Sequence, residues 1–179
     1  MVEAESATSD TTSWGSLVAD FSRAIRDDRD WAGRLVKLDH REIGLHLAVF
    51  IEPYLSYVMQ GRKTVESRFS QRRYPPYGRV SQGDLVLIKK SGGPIVGVCE
   101  IGDVWYYQLD PDSWAELRNS FTTALCAQDP AFWEARAAAS FATLMRVTAV
   151  QPLNPIVCTK RDRRGWIVIR PSERDEESM

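Results

Sequence analysis

Histidine is nearly missing from this sequence, which holds only His40 and His46 among 179 residues. Cysteine is scarce as well: Cys99, Cys126 and Cys158 are odd in number and widely spaced. That pattern gives neither a disulfide framework nor a Cys-x-x-Cys knuckle, and neither histidine has a second His or Cys at ligand spacing. No metal and no cofactor is expected. No apolar run approaches the roughly 20 residues that span a bilayer, so no membrane contact is expected either. Met1 to Ser13 lacks the basic stretch and apolar core of a secretory signal, which makes the cytoplasm the expected location. The glycines have no downstream Gly-Lys-Ser/Thr to make a P-loop, and there is no Gly-x-Ser-x-Gly nucleophile elbow.

What is present is an ordinary globular composition, 44% hydrophobic and 26% charged. At this length one domain with extensions buries about two-thirds of the surface its unfolded chain exposes. The net charge of −1 conceals segregation. Gly61 to Lys90 carries eight basic residues against Glu66 and Asp84, and Lys160 to Arg170 carries five against Asp162. Acids collect at the ends, seven against three arginines in the first 30 residues and four against Arg174 between Glu173 and Glu177. A basic surface with acidic ends suits a polyanion partner; solvated Arg-rich loops have the same composition.

Gly61-Arg62-Lys63-Thr64-Val65-Glu66-Ser67-Arg68 concentrates the chemistry. If Thr64 to Phe69 is extended, Thr64, Glu66 and Arg68 share one face and Val65, Ser67 and Phe69 the other, with alternate residues about 7 Å apart. Lys63 is out of phase, but the turn at Gly61 has the backbone freedom to aim it over the polar face. Carboxylate, ammonium and guanidinium then offer an acceptor, a point charge and a planar donor fork, a set that suits a phosphate, a base edge or an amide. A solvated edge strand whose Glu66 and Arg68 merely pair with one another carries the same pattern.

Ile51, Pro53-Tyr54, then Gly61-x-Lys63-x-x-Glu66-x-Arg68, then Gly83-Asp84 opening a strand, resemble an ASCH domain, a branch of the PUA-like superfamily, over roughly His46 to Arg170. The resemblance implies an α+β fold, a small mixed PUA-like β-barrel with flanking helices. It also implies a basic cleft, lined by Lys63, Glu66 and Arg68, for RNA, a nucleotide or a nucleoside. Some relatives are hydrolases that cut RNA or deacylate a modified cytidine. The acylcytidine branch is similar at Lys63 but has Thr where this chain has Glu66, so that nucleophile is absent; Thr64 lies on the same face.

In chain order, residues 1–12 read as a disordered lead. Trp14, Leu17, Val18, Phe21 and Ile25 fall on one helical stripe, and Trp31 to Lys37 adds a further short turn. Residues 13–42 are thus an N-terminal helical extension, 43–171 the barrel domain and 172–179 an acidic tail. His46 to Ile51 reads as a strand buried on both sides, and Pro53 opens a short helix that Gly61 ends. Tyr54 and Tyr57 lie on that helix, and either can face the cleft or the core. Arg72, Arg73, Tyr74, Pro75, Pro76, Tyr77 and Arg79 mix cations with rings in a stiff loop, a mixture that suits a strand of nucleic acid and is equally that of an ordinary polar barrel loop. Leu85 to Lys90 and Ile95 to Ile101 form a hairpin through Ser91-Gly92-Gly93. An aromatic between Asp103 and Leu109, Trp105 first, can floor the cleft or pack in the sheet. Asp112 caps one helix, and Asp129-Pro130 starts an Ala-rich one through Ser140. Phe141 to Leu153 and Trp166 to Arg170 are the last strands, joined by a basic tip at Lys160 to Arg164.

The leading expectation is an RNA or nucleotide binder using Lys63, Glu66 and Arg68, with Tyr57, Arg72, Arg73, Lys89 and Trp105 contributing. The alternative is a hydrolase of modified nucleosides or RNA, with Lys63 and Glu66 as its catalytic pair.

Overall fold

The structure, a computed structural model, describes residues 13–160 and 163–176. The expected lead at 1–12, part of the tip at 160–164 and the end of the acidic tail lie outside the described residues. A helical pair, α1 (Trp14–Ile25) and α2 (Arg29–Asp39), precedes β1 (Leu45–Phe50), α3 (Tyr54–Met59), β2 (Val65–Ser70) and β3 (Leu85–Lys90). Then come β4 (Ile95–Gln108), α4 (Pro111–Phe121), α5 (Pro130–Glu134), β5 (Phe141–Ile156), β6 (Trp166–Arg170) and α6 (Glu173–Glu176). The strands form a single sheet in the order β2-β5-β4-β3-β1-β6. Only β1 and β3 run parallel; the other neighbours are antiparallel. The sheet curls into a half-barrel, and its edges, β2 and β6, face one another across a seam with no strand pairing.

Strand alternation distributes the apolar side chains over three cores. Ala48, Phe50, Val86, Ile88, Cys99, Met145 and Trp166 fill the concave side. Leu45, Leu47, Leu85 and Leu87 point the opposite way and are covered by Leu17, Phe21, Ile25, Trp31 and Leu38 of α1 and α2. The helical stripe of the sequence therefore packs directly on the sheet. Val65, Ala142 and Leu144 face a third cluster with Leu117, Leu125, Phe132 and Trp133 from the insertion between β4 and β5.

Two helix boundaries differ from expectation. Asp110, not Asp112, caps α4: its carboxylate accepts from the Ser113 amide at 2.8 Å while Ser113 Oγ accepts from the Asp110 amide at 2.8 Å, with Pro111 in the first turn. The Ala-rich helix stops at Glu134 rather than Ser140. There the chain must turn back to place the Ser140 amide on the Ser70 carbonyl, 2.9 Å away, and start β5 against β2. Strand pairing overrides the helix propensity of the alanines.

A buried polar thread crosses the concave side. Asp84 accepts from the amides of Gly44 (2.7 Å) and Ser81 (2.8 Å) and lies 3.0 Å from His46 Nε2. Trp166 Nε1 is a donor only, and it meets His46 Nδ1 at 3.3 Å. His46 Nδ1 must therefore accept, leaving Nε2 to carry the hydrogen donated to Asp84.

Candidate functional site

The loop Gly61 to Thr64 sets the site. Gly61 takes φ +72°, a left-handed turn open to glycine, and the amides of Arg62 and Lys63 then both donate to the Tyr57 carbonyl. This folds Lys63 back until its Nζ lies 3.1 Å from Glu66 Oε2. From the other side Arg68 Nε approaches Glu66 Oε1 to 3.0 Å. Both contacts are ion pairs, so the Glu66 carboxylate is held between two cations. Glu66 and Lys63 are buried. Burial pulls the Lys63 pKa below its ordinary value of 10.5, and the Glu66 carboxylate beside it opposes that shift.

Arg68 has a second task. Its Nη2 donates to the Val49 carbonyl of β1 at 3.0 Å, and its Nη1 to the Gly165 carbonyl just before β6 at 3.1 Å. Its guanidinium lies 5.2 Å from the Phe50 ring centre and 5.5 Å from that of Trp166. A side chain on one edge of the sheet thus ties down the opposite edge. Gly165 leaves room for it: a Cβ there would sit 3.0 Å from Arg68 Nη1.

Lys63, Glu66 and Arg68 open on a hollow of about 410 Å³ at the end of the seam. Tyr54, Phe69 and Phe132 give it flat walls, and Arg136 closes one side. Arg136 lies 3.7 Å from the Phe132 ring centre and donates to the Phe132 carbonyl at 2.6 Å. Burial lowers its pKa, with Tyr54 and Glu66 pulling it back. The pocket is of ordinary ligand size, with rings for walls and few, clustered polar groups.

The structure places the remaining expected residues elsewhere. Tyr57 carries Arg62 over its ring at 4.3 Å, while it is Tyr54 that reaches the hollow. Lys89 Nζ is turned to the carbonyls of Lys90 and Gly93, holding the β3–β4 turn. Trp105 does not floor the cleft: it packs against the third core, edge-on to Phe121 at 5.0 Å, after the irregular register in β4 beyond Ile101. Arg72 is exposed on the loop after β2, and Arg73 lies 5.4 Å from the Phe141 ring centre. Thr64, exposed, is not among the residues lining the hollow. The sequence reading missed Phe132 and Arg136, and an Asp-Pro helix start with one arginine a turn beyond it was the sole signal they offered. Among the described residues no three His, Cys, Asp or Glu side chains group as a metal site, and no helix is long and apolar enough to cross a membrane.

A curled sheet with a cation-lined mouth and helices on its outer faces defines a small PUA-like barrel. Over residues 50–145 the sequence matches the ASCH domain family, and the chain belongs to that family. The fold is similar to the crystal structure of ASCH from Zymomonas mobilis, with a TM-score of 0.57, 14% identity, and 76% of this chain and 92% of that one covered. A serine-to-alanine mutant of the Zymomonas protein aligns with a TM-score of 0.58 at 13% identity, over 76% of this chain and 94% of that one. No curated protein sequence matches.

Proposed function

We propose that this ASCH domain binds RNA, with one nucleotide held in the hollow beside Lys63, Glu66 and Arg136. The observation that carries the reading is the buried Lys63–Glu66 pair, flanked by Arg68, in the wall of an aromatic-lined hollow of ligand size. A carboxylate has lone pairs beyond those that face its two cations, and the exocyclic amine or ring N–H of a base is a donor that can meet one. Tyr54, Phe69 and Phe132 supply faces for stacking, and Lys63 and Arg136 supply positive charge for phosphate. The nitrogens at the tip of Arg68 are spent on Val49 and Gly165, so its part is charge and shape.

Titrating short single-stranded RNAs and nucleoside monophosphates over a range of salt concentrations tests this. Affinity should fall as salt rises, and Arg136→Ala should weaken it about tenfold. Binding indifferent both to salt and to Arg136 would count against the reading.

A second reading rests on the lowered pKa of Lys63 beside Glu66. An amine shifted this way, paired with a carboxylate, suits hydrolysis of a modified nucleoside or an RNA phosphodiester, with Glu66 taking a proton from attacking water. Glu66→Gln should then abolish turnover while binding persists. If the parent protein turns over no member of a nucleoside and RNA panel, this second reading falls.

A further inference from the structure

Neither His46 nor Asp84 lines the hollow at Glu66, yet both are joined to its wall through one ring. Trp166 is the joint. Its Nε1–H is donated to His46 Nδ1 at 3.3 Å, while its ring lies against Arg68, with the guanidinium 5.5 Å from the ring centre. We propose that Asp84, His46 and Trp166 are positioning residues for the site, a relay that fixes the indole of Trp166 and through it the guanidinium of Arg68 on the pocket wall. The part that concerns ligand affinity rests on the pocket's being a nucleotide site.

Three observations carry it. The first is that the far end of the relay is anchored. Asp84, fully buried, accepts from the Gly44 amide at 2.7 Å and the Ser81 amide at 2.8 Å, and Gly44 leaves it space, since a Cβ there would lie 3.2 Å from the carboxylate. Held so, it meets His46 Nε2 at 3.0 Å. The second is the chemistry of the middle. A neutral imidazole donates from one nitrogen and accepts at the other, so His46 joins a carboxylate to an indole N–H across one rigid ring. An apolar side chain would fill the same space and leave both neighbours unmet. The third is what Trp166 holds. Arg68 lies between the Phe50 ring, 5.2 Å away, and the Trp166 ring, and its Nη1 donates at 3.1 Å to the carbonyl of Gly165, the residue just before Trp166. A turn of the indole therefore disturbs both a face and an acceptor of Arg68. The disturbance reaches Glu66, whose Oε1 is 3.0 Å from Arg68 Nε.

The test reads Arg68 itself by NMR on the nitrogen-labelled full chain, its Nε–H signal identified by loss in Arg68→Lys. Trp166→Phe keeps a ring beside the guanidinium and removes the donor to His46. Ile25→Val, which loosens the core on the other face of the sheet, is the control for a merely structural effect. The expected result in Trp166→Phe is an Arg68 signal that shifts and exchanges with water about tenfold faster, with nucleoside monophosphates bound about tenfold more weakly; Ile25→Val should show neither change. An Arg68 signal unmoved in Trp166→Phe, or moved as far in Ile25→Val, overturns the relay. If mononucleotides bind Trp166→Phe as tightly as the parent, the relay is refuted as a support of the site and the pocket reading survives. If the Arg68 signal responds as expected but no mononucleotide binds the parent, the relay stands as a support of Arg68 and the nucleotide reading fails. Should Trp166→Phe not fold, the parent decides: with two histidines in the chain, a long-range nitrogen–proton spectrum should show His46 carrying its hydrogen on Nε2 and coupled to Trp166 Nε1. A hydrogen on His46 Nδ1 instead overturns the proposal.

Discussion

Arg68 on the edge strand β2 donates a 3.0 Å hydrogen bond to the carbonyl of Val49, on a strand next to the opposite edge of the sheet. The bond spans the one gap in the half-barrel that no backbone ladder closes. It makes Arg68 a structural clamp as well as a wall of the pocket.

Removing the clamp should therefore be felt in stability. Arg68→Met takes away two carbonyl partners and leaves buried Glu66 with Lys63 alone, and should cost about 3 kcal/mol. Arg68→Lys should recover little, since an ammonium on a flexible stem cannot reproduce a planar fork reaching two carbonyls. Urea unfolding midpoints check this; a midpoint equal to the parent's for Arg68→Met would show that the seam needs no clamp.

Lys63 should leave a signature in alkaline solution. The unfolded chain releases this proton near the ordinary 10.5, and the folded chain releases it lower because the group is buried. Folding thus expels a proton between the two values, and the site's contribution to stability rises with pH across that window. Measured from neutral pH to about 10, the parent should gain stability relative to Lys63→Met. Parallel curves for the two proteins would contradict the shift.

The Asp84 to His46 contact should be among the most sensitive points of the core. Asp84→Ala strands the amides of Gly44 and Ser81 and the His46 hydrogen without an acceptor, each costing about 1–3 kcal/mol. A loss of at least about 3 kcal/mol is expected. A thermal melt within a few degrees of the parent's would sink this.

The N-terminal helices should behave as part of the fold. Phe21 is fully buried between α1 and the outer face of the sheet, and Phe21→Ala should cost about 3–5 kcal/mol. If α1 were a detachable partner-binding helix, calorimetry would show the main transition unmoved.

The local signals in the sequence were sound guides to the sheet. Alternation put Glu66 and Arg68 on one face and Val65 and Phe69 on the other, as β2 has them, and the stripe from Trp14 to Ile25 marked α1. The pocket was legible only where its residues are neighbours in the chain. Arg136 and Phe132 enter from an insertion about seventy residues downstream, and only the pairing of β5 with β2 brings them to Glu66. The clamp was illegible for the same reason. Nothing near Arg68 in sequence announces that Val49 and Gly165 will take its hydrogen bonds. Trp105 and Lys89 show the converse: a ring and a cation near the motif in sequence are claimed by packing and by a turn.

The seam bears also on how this protein avoids itself. An open sheet ordinarily leaves two rows of unsatisfied amides and carbonyls, templates on which another chain can grow. Here those two rows look at each other across a cleft that a guanidinium already occupies, with arginines along both rims. A foreign strand would have to displace Arg68 from its carbonyls and enter a like-charged channel before it could pair, so the arrangement that leaves the cleft open also guards against fibre growth.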